Sequence, residues 1–377
     1  MKKKVIILGT GKVGTAIAED LRKDAYVTAA DSNSVRLKEL SGRYKIKTVN
    51  CDLSVTKTIS SLVKEYDLVI GAVPGYMGFE VLKNVIKEGK NVVDISFFPE
   101  DPFELDMPAK NKNITAIVDC GLAPGMSNVI LGYHNSRMKV KNFECLVGGL
   151  PVKRLKPFEY KAPFSPADVI EEYTRPARTV VKGKIKIKPA LSEIETVNFS
   201  LTGTLEAFNT DGLRTLLKTM RIPNMKEKTL RYPGHADIMG IFKECGFFDK
   251  KKTDINGVQV SPLELTSKLL FPFWKFDNEE PDFTVMQVKV EGKEDGVSKQ
   301  FVYSLYDKYD EAKNISSMAR TTGYTCSVVA RLVLNGQYVK KGISPPEYIG
   351  AEDKCFSVIM NELKSRNITY ELKENIL

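Results

Sequence analysis

KVIILGTGKVGTAIAEDLRKDAYVTAAD, residues 4–31, is the stretch whose reading decides the fold. VIIL at 5–8 is a short run of β-favouring apolar residues. It meets Gly9, Gly11 and Gly14 in G-x-G-x-x-G spacing, and the 3.6-residue apolar period of VGTAIAEDL follows. A second β-rich run, 25–31, ends in Asp31, 22 positions beyond Gly9. A strand that turns through glycines into a helix and returns as a second strand is a βαβ unit. Its helix N-terminus presents backbone N–H groups and the positive end of a dipole to a pyrophosphate.

Outward from that unit the pattern repeats. IKTVNCD (46–52), DLVIGAV (67–73), NVVDIS (91–96) and ITAIVD (114–119) read as strands, with helical stretches such as GFEVLKNVIKEGK between them. Continuous apolar strands separated by helices predict a parallel sheet buried on both faces, here a six-strand doubly wound Rossmann-type α/β sheet. Beyond Asp119 the texture changes to alternating runs, FECLVGG, RTVVKGKIKIKP, TVNFSLTG, FTVMQVKVEG and KQFVYSLYD, which predict antiparallel hairpins. Helical patterns at about 212–220 and 235–246 make this second domain α+β. The expected division is 1–121 for a nucleotide-binding domain and 122–315 for a substrate and dimerisation domain. Helices within about 316–377 are expected to return to the first domain.

Open α/β sheets bind ligands at the carboxyl ends of their strands. The expected cofactor positions are therefore Gly9, Gly11, Lys12, Val13 and Gly14 at the phosphates, and Asp31 and Ser32 at the adenosine ribose. Asp52 and Leu53 should lie near the adenine, and Ala72, Val73 and Pro74 by the nicotinamide ribose. Ser96, Cys120 and Gly121 close the crevice. A carboxylate at Asp31 binds free ribose hydroxyls and repels a 2′-phosphate, so NAD is expected over NADP; Arg36 is the residue most able to upset that preference.

The remaining composition narrows the function. Two histidines a hundred positions apart and six cysteines without a CxxC pair predict no metal site. No apolar stretch approaches membrane-spanning length, and the Met-Lys-Lys-Lys start lacks the longer apolar run of a signal peptide, so a cytoplasmic chain off the membrane is expected. The net charge of +9 is spread along the chain. Its lysine clusters at 2–4, 182–188 and 250–252 read as solvated turns, and no nucleic-acid partner is expected.

GTGKVG with Asp31, GAVPGYMG, VVDISFFPEDP, VDCGLAPGMSNVI, SPADVIEEYTRPARTV, LRYPGHADIMGIFKECGFF and SSMARTTGYTCSVVARLVL together resemble the saccharopine dehydrogenase-like family, most of all its NAD-dependent lysine 6-dehydrogenase branch. The resemblance runs from about residue 4 to 350. It implies a Rossmann domain joined to an α+β domain that mediates homodimerisation, and oxidation of an amino acid at a CH–NH2 group, with L-lysine yielding 2-aminoadipate 6-semialdehyde. Saccharopine reductases of the family carry an acidic residue between Leu and Pro of the GL-x-PG loop, where this chain has Ala123. A saccharopine or carboxynorspermidine type reaction is the enzymatic alternative. An NAD-binding redox sensor or scaffold is the non-enzymatic one.

Lysine oxidation needs anchors for the substrate charges and a neutral donor amine. Arg175, ahead of Arg178, Arg231 and Arg320, is the expected fork for the α-carboxylate. Glu171, Glu172, Asp211, Asp94 and Asp119 are the carboxylates available to ammonium groups. Asp94 and Asp119 stand at strand ends, where either could take a proton. His235, in RYPGHAD, has the pKa class for proton transfer, although a packing or capping role suits it as well.

Overall fold

The computed structural model describes residues 2–277 and 279–377 and divides into two compact units, Met1–Met138 with Ala319–Thr369, and Lys139–Met318 with Tyr370–Leu377. In chain order the first unit opens with β1 (Lys4–Leu8), α1 (Lys12–Leu21), β2 (Tyr26–Asp31), α2 (Ser34–Tyr44), β3 (Lys47–Asn50) and α3 (Thr56–Leu62). It continues with β4 (Leu68–Gly71), α4 (Gly75–Lys87), β5 (Asn91–Asp94), α5 (Asp106–Asn111), β6 (Thr115–Ile117) and α6 (Met126–Asn135). The second unit contains β7 (Lys139–Pro151), α7 (Pro166–Thr174), the hairpin β8 (Ala177–Val181) and β9 (Lys184–Lys188), β10 (Glu195–Phe199) and β11 (Gly203–Asn209). Next come α8 (Leu216–Thr219), β12 (Asn224–Arg231), α9 (His235–Glu244), the small hairpin β13 (Thr253–Ile255) and β14 (Val258–Val260), α10 (Pro262–Trp274), β15 (Asp282–Glu294) and β16 (Val297–Lys308). The chain ends with α11 (Ser317–Leu334), β17 (Gly342–Ser344), α12 (Pro346–Gly350), α13 (Asp353–Ser365) and β18 (Tyr370–Ile376).

The first sheet is parallel throughout in the order β17-β6-β5-β4-β1-β2-β3, reversing direction of growth between β1 and β4. Val5 to Leu8 and Leu68 to Ile70 are fully buried, as strands covered by helices on both faces must be. Six strands match the expected doubly wound order. The seventh, β17, pairs with β6 from far along the chain, and its three residues, Gly-Ile-Ser, carry no periodicity that a sequence reading could use.

Residues from Ala319 onward in α11, and α13, complete the same unit around one buried carboxylate. Asp20, in the last turn of α1 and fully buried, accepts from Ser327 Oγ (2.6 Å), Arg331 Nη1 (2.6 Å) and Arg366 Nε (3.0 Å). Burial pushes this carboxyl up, but Arg331, Ser327, Lys23 and Arg366 outweigh it and hold it well below the usual carboxylate range.

The second unit is a nine-stranded sheet whose main path is β10-β11-β12-β7-β15-β16-β18, with β8 and β9 joined beside β12. The expected hairpins are there, and β15 pairs with β16 over its whole length. The sheet is mixed, however, because β12 runs parallel to β7. The helix expected at about 212–220 shrinks to the four residues of α8. Among the described residues no helix is long and apolar enough to cross a membrane.

Candidate functional site

At the carboxyl end of β1 the chain turns sharply. Gly9 adopts φ 103°, and a Cβ there would overlap the carbonyl oxygen of Ala72; one on Gly14 would overlap the carbonyl oxygen of Gly9. A Cβ on Gly11 would meet nothing within 4 Å. The loop is thus closed against the sheet and open at Gly11, and no side chain caps α1 there. That is the cradle a pyrophosphate requires, with the first-turn amides of Lys12, Val13 and Gly14 behind it.

Asp31 ends β2 beside this loop. Its Oδ2 accepts from the Thr10 amide (2.6 Å) and the Thr10 hydroxyl (2.9 Å), and its Oδ1 accepts from the Asn33 amide (2.8 Å). A carboxylate offers about four lone-pair sites, so these donors fix its orientation and leave acceptor capacity on Oδ1 for a ribose hydroxyl. Ser32 follows at the rim, where its carbonyl accepts from Asn50 Nδ2 (3.0 Å). The residues present therefore fit a dinucleotide. Thr10 was not among the expected site residues, because only the fold brings an unspecified position of the glycine motif onto the acid that ends β2.

Other expected positions separate into roles. Ala72 and Val73 follow β4, with the Ala72 amide bonded to the Leu8 carbonyl (2.8 Å) and Pro74 capping α4. Asp52 is exposed and spends its carboxylate on the Ser54 amide and hydroxyl (2.8 and 2.7 Å), bonds that lower its pKa. Leu53 is only 6% exposed and belongs to the hydrophobic core with Ile59 and Val63, which makes it a packing residue.

Asp94 is fully buried; its Oδ1 accepts from the Ser96 amide (2.8 Å) and its Oδ2 from the Ser96 hydroxyl (3.2 Å). Asp119 stands past β6 with left-handed backbone at φ 54°, and is buried. Cys120 follows it, its amide bonded to the Asp94 carbonyl (3.0 Å), and burial, then the charges of Asp94 and Asp119, push its thiol far up. A thiol held protonated in this way is a wall residue, not a nucleophile. Gly121 begins the GLAPG loop, closed by Gly121 N–H to the Pro124 carbonyl (3.1 Å) and Met126 N–H to the Gly121 carbonyl (3.1 Å). Asp94, Ser96, Asp119, Cys120 and Gly121 are thus gathered at the ends of neighbouring strands β5 and β6.

In the second unit the expected residues fall into separate ionic groups. Arg231, 2% exposed, donates to Glu172 Oε2 (2.5 Å), Tyr160 OH (3.3 Å) and Tyr173 OH (3.3 Å). Arg178 forms a two-point pair with Asp211 (2.8 and 2.8 Å). Arg175, at the end of α7, meets Glu171 at the longer distance of 3.4 Å, and Glu171 also faces Lys250 (3.4 Å). In the first unit, Arg320 donates to the Arg366 carbonyl (3.1 Å).

His235 stands at the start of α9, whose amide ends at Gly234 and Ala236 are capped by Glu206 (2.9 and 2.5 Å). The ring is 2% exposed. Its Nδ1 lies 3.0 Å from the Phe158 carbonyl, which only accepts, so this nitrogen carries the proton. Its Nε2 then accepts from the Tyr173 hydroxyl (2.9 Å), whose oxygen accepts from Arg231. Burial, then the Arg231 charge, pull its pKa down to about 3 against the weaker pull of Phe158. Both nitrogens are committed and the ring stays neutral, so of the two roles open to His235 the geometry supports packing over general base. Tyr160 and Tyr173 complete this network and had no sequence signal, since an aromatic residue in a buried run reads as core.

The profile of the saccharopine dehydrogenase NADP binding domain matches residues 5–117, and that of the saccharopine dehydrogenase C-terminal domain matches residues 121–368. The saccharopine dehydrogenase (NADP(+), L-glutamate-forming) of Pyricularia oryzae is 23% identical over 100% of this chain and 99% of its own. The mitochondrial alpha-aminoadipic semialdehyde synthase of Mus musculus is 22% identical over 100% of this chain and 48% of its own, so the chain spans about half the length of that relative. The solved apo saccharopine dehydrogenase (L-Glu forming) of Saccharomyces cerevisiae superposes with a TM-score of 0.79 at 20% identity, over 100% of both chains, and shares the fold.

Proposed function

The chain belongs to the saccharopine dehydrogenase family, and from that premise we propose that it is an NAD-dependent amino acid dehydrogenase that oxidises the ε-amine carbon of L-lysine. The observation that carries the cofactor reading is Asp31, held by Thr10 and Asn33 at the end of β2 with acceptor capacity left for a ribose hydroxyl. A 2′-phosphate at that point would meet a fixed negative charge. When bound, the nicotinamide supplies the hydride acceptor.

The chain's own residues would serve the substrate. Asp94 and Asp119, at the ends of β5 and β6, are the candidates to orient the donor amine and receive its proton, directly or through water. Arg175, which meets Glu171 at 3.4 Å and precedes the rigid Pro176, is the anchor for the α-carboxylate in this reading. The semialdehyde product cyclises to piperideine-6-carboxylate. Cytoplasmic residence and a homodimer built through the second unit belong to the same reading.

Saccharopine oxidation is the second reading, favoured by the saccharopine dehydrogenases that this chain matches along nearly their whole length. Incubation of the pure protein with NAD or NADP and a panel of lysine, saccharopine and other amines, followed by absorbance of the reduced cofactor, decides between them. Turnover of lysine with NAD is expected. Turnover of saccharopine with NADP, and none of lysine, overturns the proposal, and saturable cofactor binding without turnover of any amine points to a sensor.

A further inference from the structure

The amino-terminal edge of the first sheet, where β1, β2 and β3 begin at Lys4, Tyr26 and Lys47, plays no part in the chemistry above. A cleft of about 500 Å³ opens there, a size suited to a small ligand. Lys2, Lys4, Arg22, Lys45 and Lys47 line it against a single carboxylate, Glu65. Among the described residues Lys4, Arg22, Lys45 and Lys47 make no ion pair, so the cations of the wall outnumber its one lining carboxylate. Such a concentration of one sign attracts anions of more than one charge.

The aromatic part of the wall is more specific. Tyr44 lines the cleft, is 8% exposed, and its hydroxyl has no hydrogen-bond partner. A buried hydroxyl left unbonded costs free energy, which a ligand oxygen recovers once the wall shifts to admit it. The Arg22 and Arg43 guanidinium carbons lie 5.2 and 5.1 Å from the centre of its ring, which sets two cations against it. Tyr26, 61% exposed, offers an open ring face at the start of β2. Cations grouped beside a hydroxyl donor suit phosphate oxygens, and a free aromatic face suits a planar base.

We propose that this cleft binds a nucleoside di- or triphosphate, its phosphates among Lys4, Lys45 and Lys47 and its base against Tyr26. The site lies at the opposite strand ends from Gly9, Gly11 and Asp31. At about 3.3 Å per residue, β2 alone separates Tyr26 from Asp31 by roughly 17 Å, so one dinucleotide phosphate group cannot serve both.

Calorimetric titration of ATP into the full-length protein saturated with both NADH and NADPH tests this. Saturation with both forms blocks the glycine loop whichever cofactor it prefers, so the outcome is independent of the cofactor and substrate assignments. One ATP per chain is expected, with inorganic triphosphate retaining part of the affinity and adenosine alone showing none. The double variant Lys45→Glu, Lys47→Glu should weaken ATP at least about tenfold, by reversing two charges in the wall. Tyr44→Phe, which keeps the ring, should weaken it at least about tenfold through loss of one hydrogen bond to a charged group. Both should bind the reduced cofactors normally, which verifies folding. Absence of ATP binding at millimolar concentration, or binding that neither variant alters, overturns the proposal. So does a single-stranded oligonucleotide that binds more tightly than ATP with the same sensitivity to the variants, since the cleft would then belong to a nucleic-acid surface.

Discussion

Replacing His235 by Gln should remove much of the acid sensitivity of the second unit. In the folded protein burial and Arg231 pull the imidazole pKa down to about 3, whereas in the unfolded chain it titrates near 6.5. The folded pKa is the lower one, so the unfolded state binds more protons between these values and stability falls as pH drops through that window. From pH 8 to pH 5 the unfolded imidazole becomes almost fully protonated while the folded one does not, a linkage of about 2 kcal/mol. Urea titrations at the two pH values, followed by fluorescence of the only tryptophan, measure it. Trp274 lies 5.7 and 6.2 Å, centre to centre, from the Tyr160 and Tyr173 rings that contact His235. In His235→Gln the side-chain oxygen can accept from Tyr173, but the Phe158 carbonyl loses its donor, so stability at pH 8 should drop by about 1–3 kcal/mol. Between pH 8 and pH 5 the variant should then lose about 2 kcal/mol less than the unmodified protein, other groups being common to both. Equal losses in the two proteins would refute the neutral, buried assignment and return His235 to the candidates for proton transfer.

Asp31→Ser should narrow the preference for NAD over NADP, measured as the ratio of kcat/KM for the two cofactors; equal or better use of NADP by the unmodified protein would defeat the assignment. Arg175→Ala should raise KM for lysine roughly ten- to a hundredfold while cofactor affinity stays near its original value, because a lost charge-assisted pair costs about 1.5–3 kcal/mol. Arg175→Lys should recover little, since an ammonium has no fork, and unchanged kinetics with a lower melting temperature would make the arginine structural. Asp20→Asn should destabilise the first unit by about 3–5 kcal/mol, read by denaturant titration, because Arg331 and Arg366 lose a buried partner. Its carboxyl is held below the unfolded value, so that contribution is complete above about pH 5 and fades on further acidification; a variant with unchanged acid sensitivity would count against the cluster.

Local chemistry made much of this protein legible in advance. The glycine turn, the acid at the end of β2, the strand ends that collect Asp94, Ser96, Asp119 and Cys120, and the long hairpin of β15 and β16 all follow from residue spacing. Spacing carries such information where backbone conformation and apolar period are set within a dozen residues. The sequence could also nominate Arg175, Arg178, Arg231 and His235, because charged residues beside aromatic and proline neighbours stand out.

What it could not decide was which partner each charge takes. Glu172, Tyr160 and Tyr173 surround Arg231, Asp211 holds Arg178, and Phe158 and Tyr173 fix the tautomer of His235. These pairings join residues tens of positions apart. By itself, then, the sequence determined a doubly wound nucleotide-binding sheet, its glycine loop and its terminal acid, since those rest on local geometry. Only the tertiary structure decided that Thr10 holds Asp31, that Leu53 is core, that β17 extends the first sheet, and that His235 is neutral. Each of those depends on burial and on distances between segments that the order of residues leaves open.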